Sequence, residues 1–249
     1  MTRRQLIPEH INETLEAAPV SVVLSWVNEH FPTEKIGFST GFGSSGGVVL
    51  DHLVQVNKNI PVFYIDTGAL FRETHALRDR IEKKYGIRFI RYRADLSWDE
   101  QEEKVGRRLW ESNPDLCCDI RKVRPLREAL SHYEVWITAI RRDQSPTRAH
   151  TRVIEWEPRF GVLKVNPLAA WTGDMVWRYI NERNIPYNKL YDLGYGSIGC
   201  FYCTSALRAG ESEREGRWRG LRKTECGLHY PTVNTWPHSL ETPELTVNE

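Results

Sequence analysis

Ile36-Gly37-Phe38-Ser39-Thr40-Gly41-Phe42-Gly43-Ser44-Ser45-Gly46-Gly47 is the stretch that decides the fold of this chain. A short apolar run, Ile36–Thr40, reads as a buried strand. The glycines that follow let the backbone turn sharply, and Gly47–Val56 carries a helical pattern. Strand, glycine turn and helix in that order form the first unit of a βαβ fold. The free N–H groups and dipole of the helix start then offer a ready anion site.

The same alternation continues downstream. Apolar runs at Val62–Ile65, Ile87–Tyr92 and Val135–Ile140 predict strands, and Glu73–Tyr85, Trp98–Gly106 and Pro125–Tyr133 predict helices between them. Alternation of this kind implies right-handed crossovers and an α/β fold: a mostly parallel, Rossmann-like sheet flanked by helices, with its active site at the C-terminal strand ends. Upstream, Pro19 divides the apolar set Ile11, Leu15, Val20, Val22, Val23, Leu24 and Trp26. That predicts one short helix ending near Ala18 and another over Val20–His30. Thr172 opens a further helix as an N-cap. The expected organisation is a helical segment over 1–30, a nucleotide-binding domain over 31–226 and a mobile tail over 227–249.

Composition narrows the function classes. The chain has 249 residues, 40% hydrophobic and 27% charged, with 34 basic against 33 acidic side chains. That is an ordinary globular composition, and its near-zero net charge gives no reason to expect nucleic acid or an anionic membrane as partner. MTRRQLIPEHINETLEAAP has no long apolar core of a secretory signal, and no apolar run is long enough to span a bilayer. An odd cysteine count in that context points to a reducing compartment, so the cytoplasm is expected.

Gly41, Gly43 and Gly46 match G-x-G-x-x-G, and Asp66 closes the next strand, so a dinucleotide-binding dehydrogenase is one reading. An ordinary βα turn with an Asp cap is another. No G-K-[ST] follows for a P-loop, and Val49 stands where the loop of ATP pyrophosphatases carries its aspartate. Ser39, Gly41, Phe42, Asp66 and Thr67 all lie at strand ends, where they can meet a nucleotide.

The five cysteines fall two, two and one. Cys117 and Cys118 are adjacent, and Cys200 and Cys203 form C-x-x-C. Four thiolates suit a structural zinc or a [4Fe–4S] cluster; the C-x-x-C alone could be a redox pair, and inert buried thiols are the bland alternative. Cys226 stands apart in Glu225-Cys226-Gly227-Leu228-His229, just after the basic run Arg214–Lys223. Nearby cations lower a thiol's pKa, so Cys226 is either an exposed thiol or a nucleophile. Basic residues bunch at Arg121, Lys122 and Arg124, at Arg141, Arg142 and Arg148, and at Arg214, Arg217, Arg219 and Arg222. Guanidinium forks match sulfate and phosphate, so a multiply charged anion is the expected ligand.

Four segments in order carry a resemblance. They are Cys117-Cys118-Asp119-Ile120-Arg121-Lys122-Val123-Arg124-Pro125-Leu126, Arg141-Arg142-Asp143-Gln144-Ser145-Pro146-Thr147-Arg148, Ser197-Ile198-Gly199-Cys200-Phe201-Tyr202-Cys203 and Glu225-Cys226-Gly227-Leu228-His229. From about Lys35 to His229 the chain resembles the sulfonucleotide reductases, which reduce adenylylsulfate or its 3′-phosphorylated form to sulfite. The resemblance implies that Cys226 is the nucleophile and that Cys117, Cys118, Cys200 and Cys203 hold a [4Fe–4S] cluster. It further implies that Lys122 lies between cluster and substrate, and that Arg148, Arg214 and Arg217 bind the substrate. Cluster-bearing members mostly use adenylylsulfate with thioredoxin as donor, which makes adenylylsulfate the expected substrate here. Ser45, Arg72 and Ala139 depart from the family pattern, which has Glu or Gln, proline and glycine there. Rival readings are a reductase of 3′-phosphoadenylylsulfate and a non-catalytic redox sensor; a homo-oligomer is compatible with either.

Overall fold

The computed structural model describes residues 9–229. Within them the predicted alternation is realised as β1 (Ile36–Ser39), α3 (Ser44–Asn57), β2 (Val62–Asp66), α4 (Arg72–Tyr85), β3 (Phe89–Arg93) and α5 (Trp98–Lys104). Two helices, α1 (Glu9–Glu16) and α2 (Val20–His30), precede it. Beyond α5 come α6 (Leu109–Ser112), α7 (Pro114–Cys118), a π turn over Asp119–Val123, α8 (Arg124–Leu130) and β4 (Val135–Ile137). β5 (Ile154–Glu157), β6 (Val162–Val165) and α9 (Gly173–Glu182) complete the regular elements named here.

The six strands form one sheet in the order β3-β2-β1-β4-β6-β5, parallel throughout except for β5, which runs antiparallel to β6. The chain steps outward from β1 through β2 to β3, then returns to lay β4 on the other side of β1. Between β1 and β4 the strand order reverses, and in open parallel sheets that crevice is where ligands bind.

Sequence reasoning missed the β5–β6 hairpin. Its signal was present: Ile154-Glu155-Trp156-Glu157 alternates, and Gly161 turns at φ +67° before Val162. Sequence reasoning also assigned no helix to α6 or α7, which carry Cys117 and Cys118.

The N-terminal helices are not an appendage. Val20, Val23, Leu24 and Val27 of α2 are buried in the same core as Ile36, Phe38, Val48 and Leu53. Each such side chain contributes about 1.5–3 kcal/mol on leaving water. The first residues of the expected tail, 227–229, are tied to the domain. Arg159 donates from Nη1 to the Gly227 carbonyl (2.8 Å) and from Nη2 to that of Leu228 (3.1 Å), and His229 stacks on Trp136 at 5.1 Å. The remainder of the expected tail, and residues 1–8, lie outside the described residues.

Gly37 shows how tightly β1 is packed. A Cβ there would lie 2.6 Å from the Tyr133 ring, which itself stacks on Phe63 at 5.6 Å. Overpacking of this kind costs about 1–3 kcal/mol. Gly37→Ala is therefore expected to lower the urea midpoint without changing the slope; an unchanged midpoint would mean that the ring moves aside freely.

Candidate active site

At the ends of β1 and β4 a solvent-open cleft is lined from widely separated parts of the sequence. The first loop contributes Ser39, Thr40, Gly41, Gly43, Ser44, Ser45 and Gly46, while β2 and its loop give Ile65 and Thr67. Lys122 comes from the π turn, Arg148 from the loop after β4, and Cys200, Arg214, Arg217 and Cys226 from the C-terminal segment.

The loop is built for close approach. Gly46 must lack a side chain, because a Cβ would sit 2.7 Å from Thr40 Oγ1. Phe42 is held at φ +60°, a strained conformation for a bulky residue, with its N–H donating to Thr40 Oγ1 at 3.0 Å. That twist turns its ring into the core, edge-on to Tyr64 (5.3 Å) and Phe89 (5.0 Å). Phe42 therefore presents backbone to the loop, and its side chain is absent from the cleft lining. Asp66 is a second correction. Its carboxylate pairs with Arg91 (2.8 Å) and accepts from the Gly68 N–H (2.9 Å), so it caps a turn and is absent from the cleft lining. That removes the acidic partner a dinucleotide reading requires. Thr67 does line the cleft, its Oγ1 meeting Cys200 Sγ at 3.2 Å, and Ser39 Oγ accepts from Trp136 Nε1 at 2.7 Å.

The three basic clusters divide by role. Arg121 is structural: its Nε, Nη1 and Nη2 donate to Gln101 (2.6 Å), Leu96 O (2.8 Å) and Ser97 O (2.7 Å). Arg141, only 1% exposed, joins Ser45, Glu213 and Asp143, tying the glycine loop to the segment that carries Arg214. Arg124, Arg142 and Arg219 pair with Asp119, Glu16 and Glu211. Lys122, Arg148, Arg214 and Arg217 remain around the cleft.

Of these, Arg214 Nε and Arg217 Nη2 are buried with no hydrogen-bond partner among the described residues. Buried guanidinium N–H groups without an acceptor are costly, which marks them as donors awaiting an anion. Burial, reinforced by Arg148, pulls the proton affinity of Arg214 down to about 10, still fully charged at neutral pH. Arg217 lies over the Trp218 ring at 4.4 Å and donates to the Cys203 carbonyl. Gly199 gives it room, since a Cβ there would stand 2.3 Å from Nη2.

Cys226 is half-buried in this cleft. Burial pushes its thiol up, but Lys122, the Leu228 N–H and Arg217 outweigh burial and the Glu225 charge, leaving the pKa below its ordinary value. Burial alone would neutralise Lys122; its electrostatic interaction with Cys200, Cys118 and Cys226 instead raises its pKa, so it remains an ammonium.

Beside Lys122 sit the other four thiols, with Cys117, Cys118 and Cys200 buried and Cys203 half-buried. The π turn follows directly on the vicinal pair, and such turns recur at functional sites. Burial, followed by the neighbouring thiolates of Cys118, Cys200 and Cys203, pushes Cys117 up to about 12; burial pushes Cys118 to about 11. Burial therefore disfavours the thiolate at Cys117 and Cys118, and a cationic centre beside them would favour it. Among the described residues, no three cysteine, histidine or carboxylate groups converge closely enough to chelate one ion. Trp98 and Trp110 pack against the apolar cluster that contains Cys117, and Trp110 stacks on Tyr202 at 3.9 Å.

Sequence reasoning did not single out Glu213, Gln144, Tyr191 or Trp136 as cleft residues. Only Gln144 carried a signal, through its place in the Arg141–Arg148 segment.

Residues 35–206 match the phosphoadenosine phosphosulfate reductase domain. The chain belongs to that family. An adenosine 5′-phosphosulfate reductase of Bacillus anthracis is 44% identical over 220 residues, covering 88% of this chain and 96% of the relative. One from Salinibacter ruber is 43% identical over 220 residues, covering 88% and 87%. Among solved structures, phosphoadenylyl-sulfate reductase from Candida auris in a phosphate complex is 33% identical with a TM-score of 0.70, covering 80% of this chain and 95% of its own. Candida glabrata FMN adenylyltransferase, at 15% identity, TM-score 0.55 and 87% and 81% coverage, shares the fold alone. The sheet order and cleft described above are thus the scaffold of a sulfonucleotide reductase domain, an oxidoreductase acting on sulfur.

A depressed thiol pKa means that Cys226 is thiolate above that value and loses reactivity as pH falls through it. The alkylation midpoint of Cys226 with iodoacetamide is expected below that of an ordinary thiol, and Lys122→Met is expected to raise it. A midpoint unmoved by that substitution would deny Lys122 its electrostatic role.

Proposed function

We propose that this enzyme reduces adenylylsulfate to sulfite and AMP, with Cys226 as nucleophile, a [4Fe–4S] cluster on Cys117, Cys118, Cys200 and Cys203, and a thioredoxin-like dithiol as electron donor. The observation that carries the reading is the single cleft in which the Cys226 thiolate meets Lys122 and the unpartnered N–H groups of Arg214 and Arg217. A low-pKa thiol beside unsatisfied cationic donors suits attack on an anionic sulfur, where charge repulsion is the chief obstacle. The relatives named adenosine 5′-phosphosulfate reductase support the same substrate.

In the first step the Cys226 thiolate attacks the sulfate sulfur. An S–S bond forms, the bond from sulfur to the bridging oxygen breaks, and AMP departs with the electron pair. Lys122, Arg214 and Arg217 balance the charge of the transferred group and of the leaving phosphate. The product is an S-sulfonated Cys226. A donor thiolate then attacks Sγ of Cys226 and expels sulfite, leaving a mixed disulfide. The donor's second thiol resolves it, so two electrons pass from the dithiol to sulfur and Cys226 is regenerated.

The glycine loop and α3 receive the nucleotide, with the backbone of Gly41 and Phe42 and the side chains of Ser39 and Thr67 beside it. The four cysteines suit an iron–sulfur cluster, whose irons take thiolate ligands, and the thiols of Cys118, Cys200 and Cys203 lie within electrostatic reach of Cys117. When bound, the cluster supplies a fixed charge beside Lys122. No described helix is long and apolar enough to cross a membrane, and the described cysteines are all free thiols, as suits a reducing cytoplasm.

Intact mass after exposure of anaerobically purified protein to each sulfonucleotide without reductant tests the proposal. Adenylylsulfate is expected to add one sulfonate at Cys226 and Cys226→Ser to abolish the addition. Addition only with the 3′-phosphorylated form would overturn the substrate, and addition with neither would overturn the mechanism. Gly199→Ala, which drives a Cβ into Arg217, is expected to weaken adenylylsulfate binding about tenfold or more, the scale of a lost buried charge contact. Iron and acid-labile sulfide should fall together in Cys203→Ser; zinc in their place would overturn the cluster assignment.

A further inference from the structure

Glu225, the residue before Cys226, is 4% exposed and its carboxylate accepts five hydrogen bonds. Arg148 approaches as a fork, Nε to Oε1 at 2.8 Å and Nη2 to Oε2 at 2.9 Å. Arg214 Nη2 adds a third contact to Oε2 at 3.0 Å, and Thr147 and Ser145 supply hydroxyls at 3.1 and 3.4 Å. The remaining corner of Arg148, Nη1, donates to Gln144 Oε1 at 2.6 Å. Every nitrogen of Arg148 is therefore engaged by protein, whereas Arg214 Nε and Arg217 Nη2 are not.

This distribution separates two jobs that the sequence assigned to one set of arginines. A bidentate, buried guanidinium–carboxylate pair fixes direction as well as distance. Its two members come from the loop after β4 and from the segment that carries the nucleophile, so closing the pair carries Cys226 into the cleft. We infer that Arg148 and Glu225 form a latch that seats Cys226, with Arg148 a positioning residue for the nucleophile and Arg214 and Arg217 the groups that receive the substrate's anion. The inference rests on the proposed reaction for its place in turnover, because a sulfonated Cys226 must then come within reach of a donor dithiol. Releasing Glu225 from the Arg148 fork and from Arg214 is the local change that begins it.

The test reads the latch first without any sulfonucleotide. Cys226 of the metal-loaded protein is labelled with neutral iodoacetamide at a pH where its thiol is fully ionised, with peptide mapping to place the label. Glu225→Gln and Arg148→Gln are each expected to speed labelling about tenfold or more, the scale of breaking a buried pair, and the double variant to add nothing further. The two substitutions shift local charge in opposite directions, so acceleration by both reports access and not thiolate content. Glu225→Asp, which keeps the charge, should recover part of the wild-type protection, and it carries the test if Arg148→Gln fails to fold. Unchanged labelling in Glu225→Gln, or additive effects in the double variant, would overturn the latch.

With adenylylsulfate, Arg148→Gln should slow Cys226 sulfonation at saturation while leaving AMP affinity within about twofold of wild type, as for a group outside the binding contacts. Weakened AMP or adenylylsulfate affinity with sulfonation at saturation preserved would return Arg148 to the substrate site and overturn the inference. If wild-type protein is sulfonated by neither nucleotide, the proposed function falls while the labelling comparison still decides the latch.

Discussion

The constraint on which this structure depends is the burial of like charge. Lys122, Arg148 and Arg217 are buried around one cleft, and the Arg214 side chain is only 13% exposed beside them. Each would lose several kcal/mol on leaving water as an isolated ion. What faces them is the carboxylate of Glu225 and five cysteine thiols, of which Cys226 has its pKa lowered, and the architecture supplies these from three directions. The π turn and α7 bring Cys117 and Cys118, the loop of Cys200 and Cys203 closes from above, and the C-terminal segment inserts Glu225 and Cys226 between the arginines. Positive and negative members are interdependent. Removing either leaves the other buried without a partner, so this part of the molecule is set by electrostatics as much as by packing.

That balance is incomplete within the protein, and the incompleteness is specific. Arg148 has an acceptor for each nitrogen, but Arg214 keeps Nε and Arg217 keeps Nη2 unpaired. A sheet core closes its hydrogen bonds, as the ladders of β1, β2 and β4 do; unpaired guanidinium N–H groups are tolerated where a ligand completes them. Gly199 and Gly46 say the same in steric terms, each a place where a side chain would meet a functional neighbour at under 3 Å.

The fold was legible in the sequence wherever the signal was local. Ile36–Gly47 announced strand, turn and helix, and the same alternation located β2, β3, β4, α4 and α5 to within a few residues. Pro19 located the break between α1 and α2, and Thr172 caps α9 by accepting from the Met175 N–H. The β5–β6 hairpin escaped because one antiparallel pair at a sheet edge is a weak pattern among charged residues. The convergence of the cysteine pairs with Lys122 and Cys226 came from the family resemblance, since nothing local brings residues 117 and 226 together.

Side-chain direction was the least legible part, and the arginines show why. A run of basic residues states how much charge is available but not what each guanidinium will find. Arg121 and Arg141 sit in the same motifs as Lys122 and Arg148, yet one braces the loop before α5 and the other bolts Ser45 to Glu213. Phe42 and Asp66 mislead in the same way: correct positions at strand ends, with one ring turned into the core and one carboxylate taken by Arg91. The deciding quantity in each case is the nearest buried partner of opposite character, a property of the folded neighbourhood. Ser45 illustrates the consequence. Its short hydroxyl meets Arg141, which is pinned from behind by Asp143 and Glu213. The partner, pinned from behind, fixes the geometry of this contact.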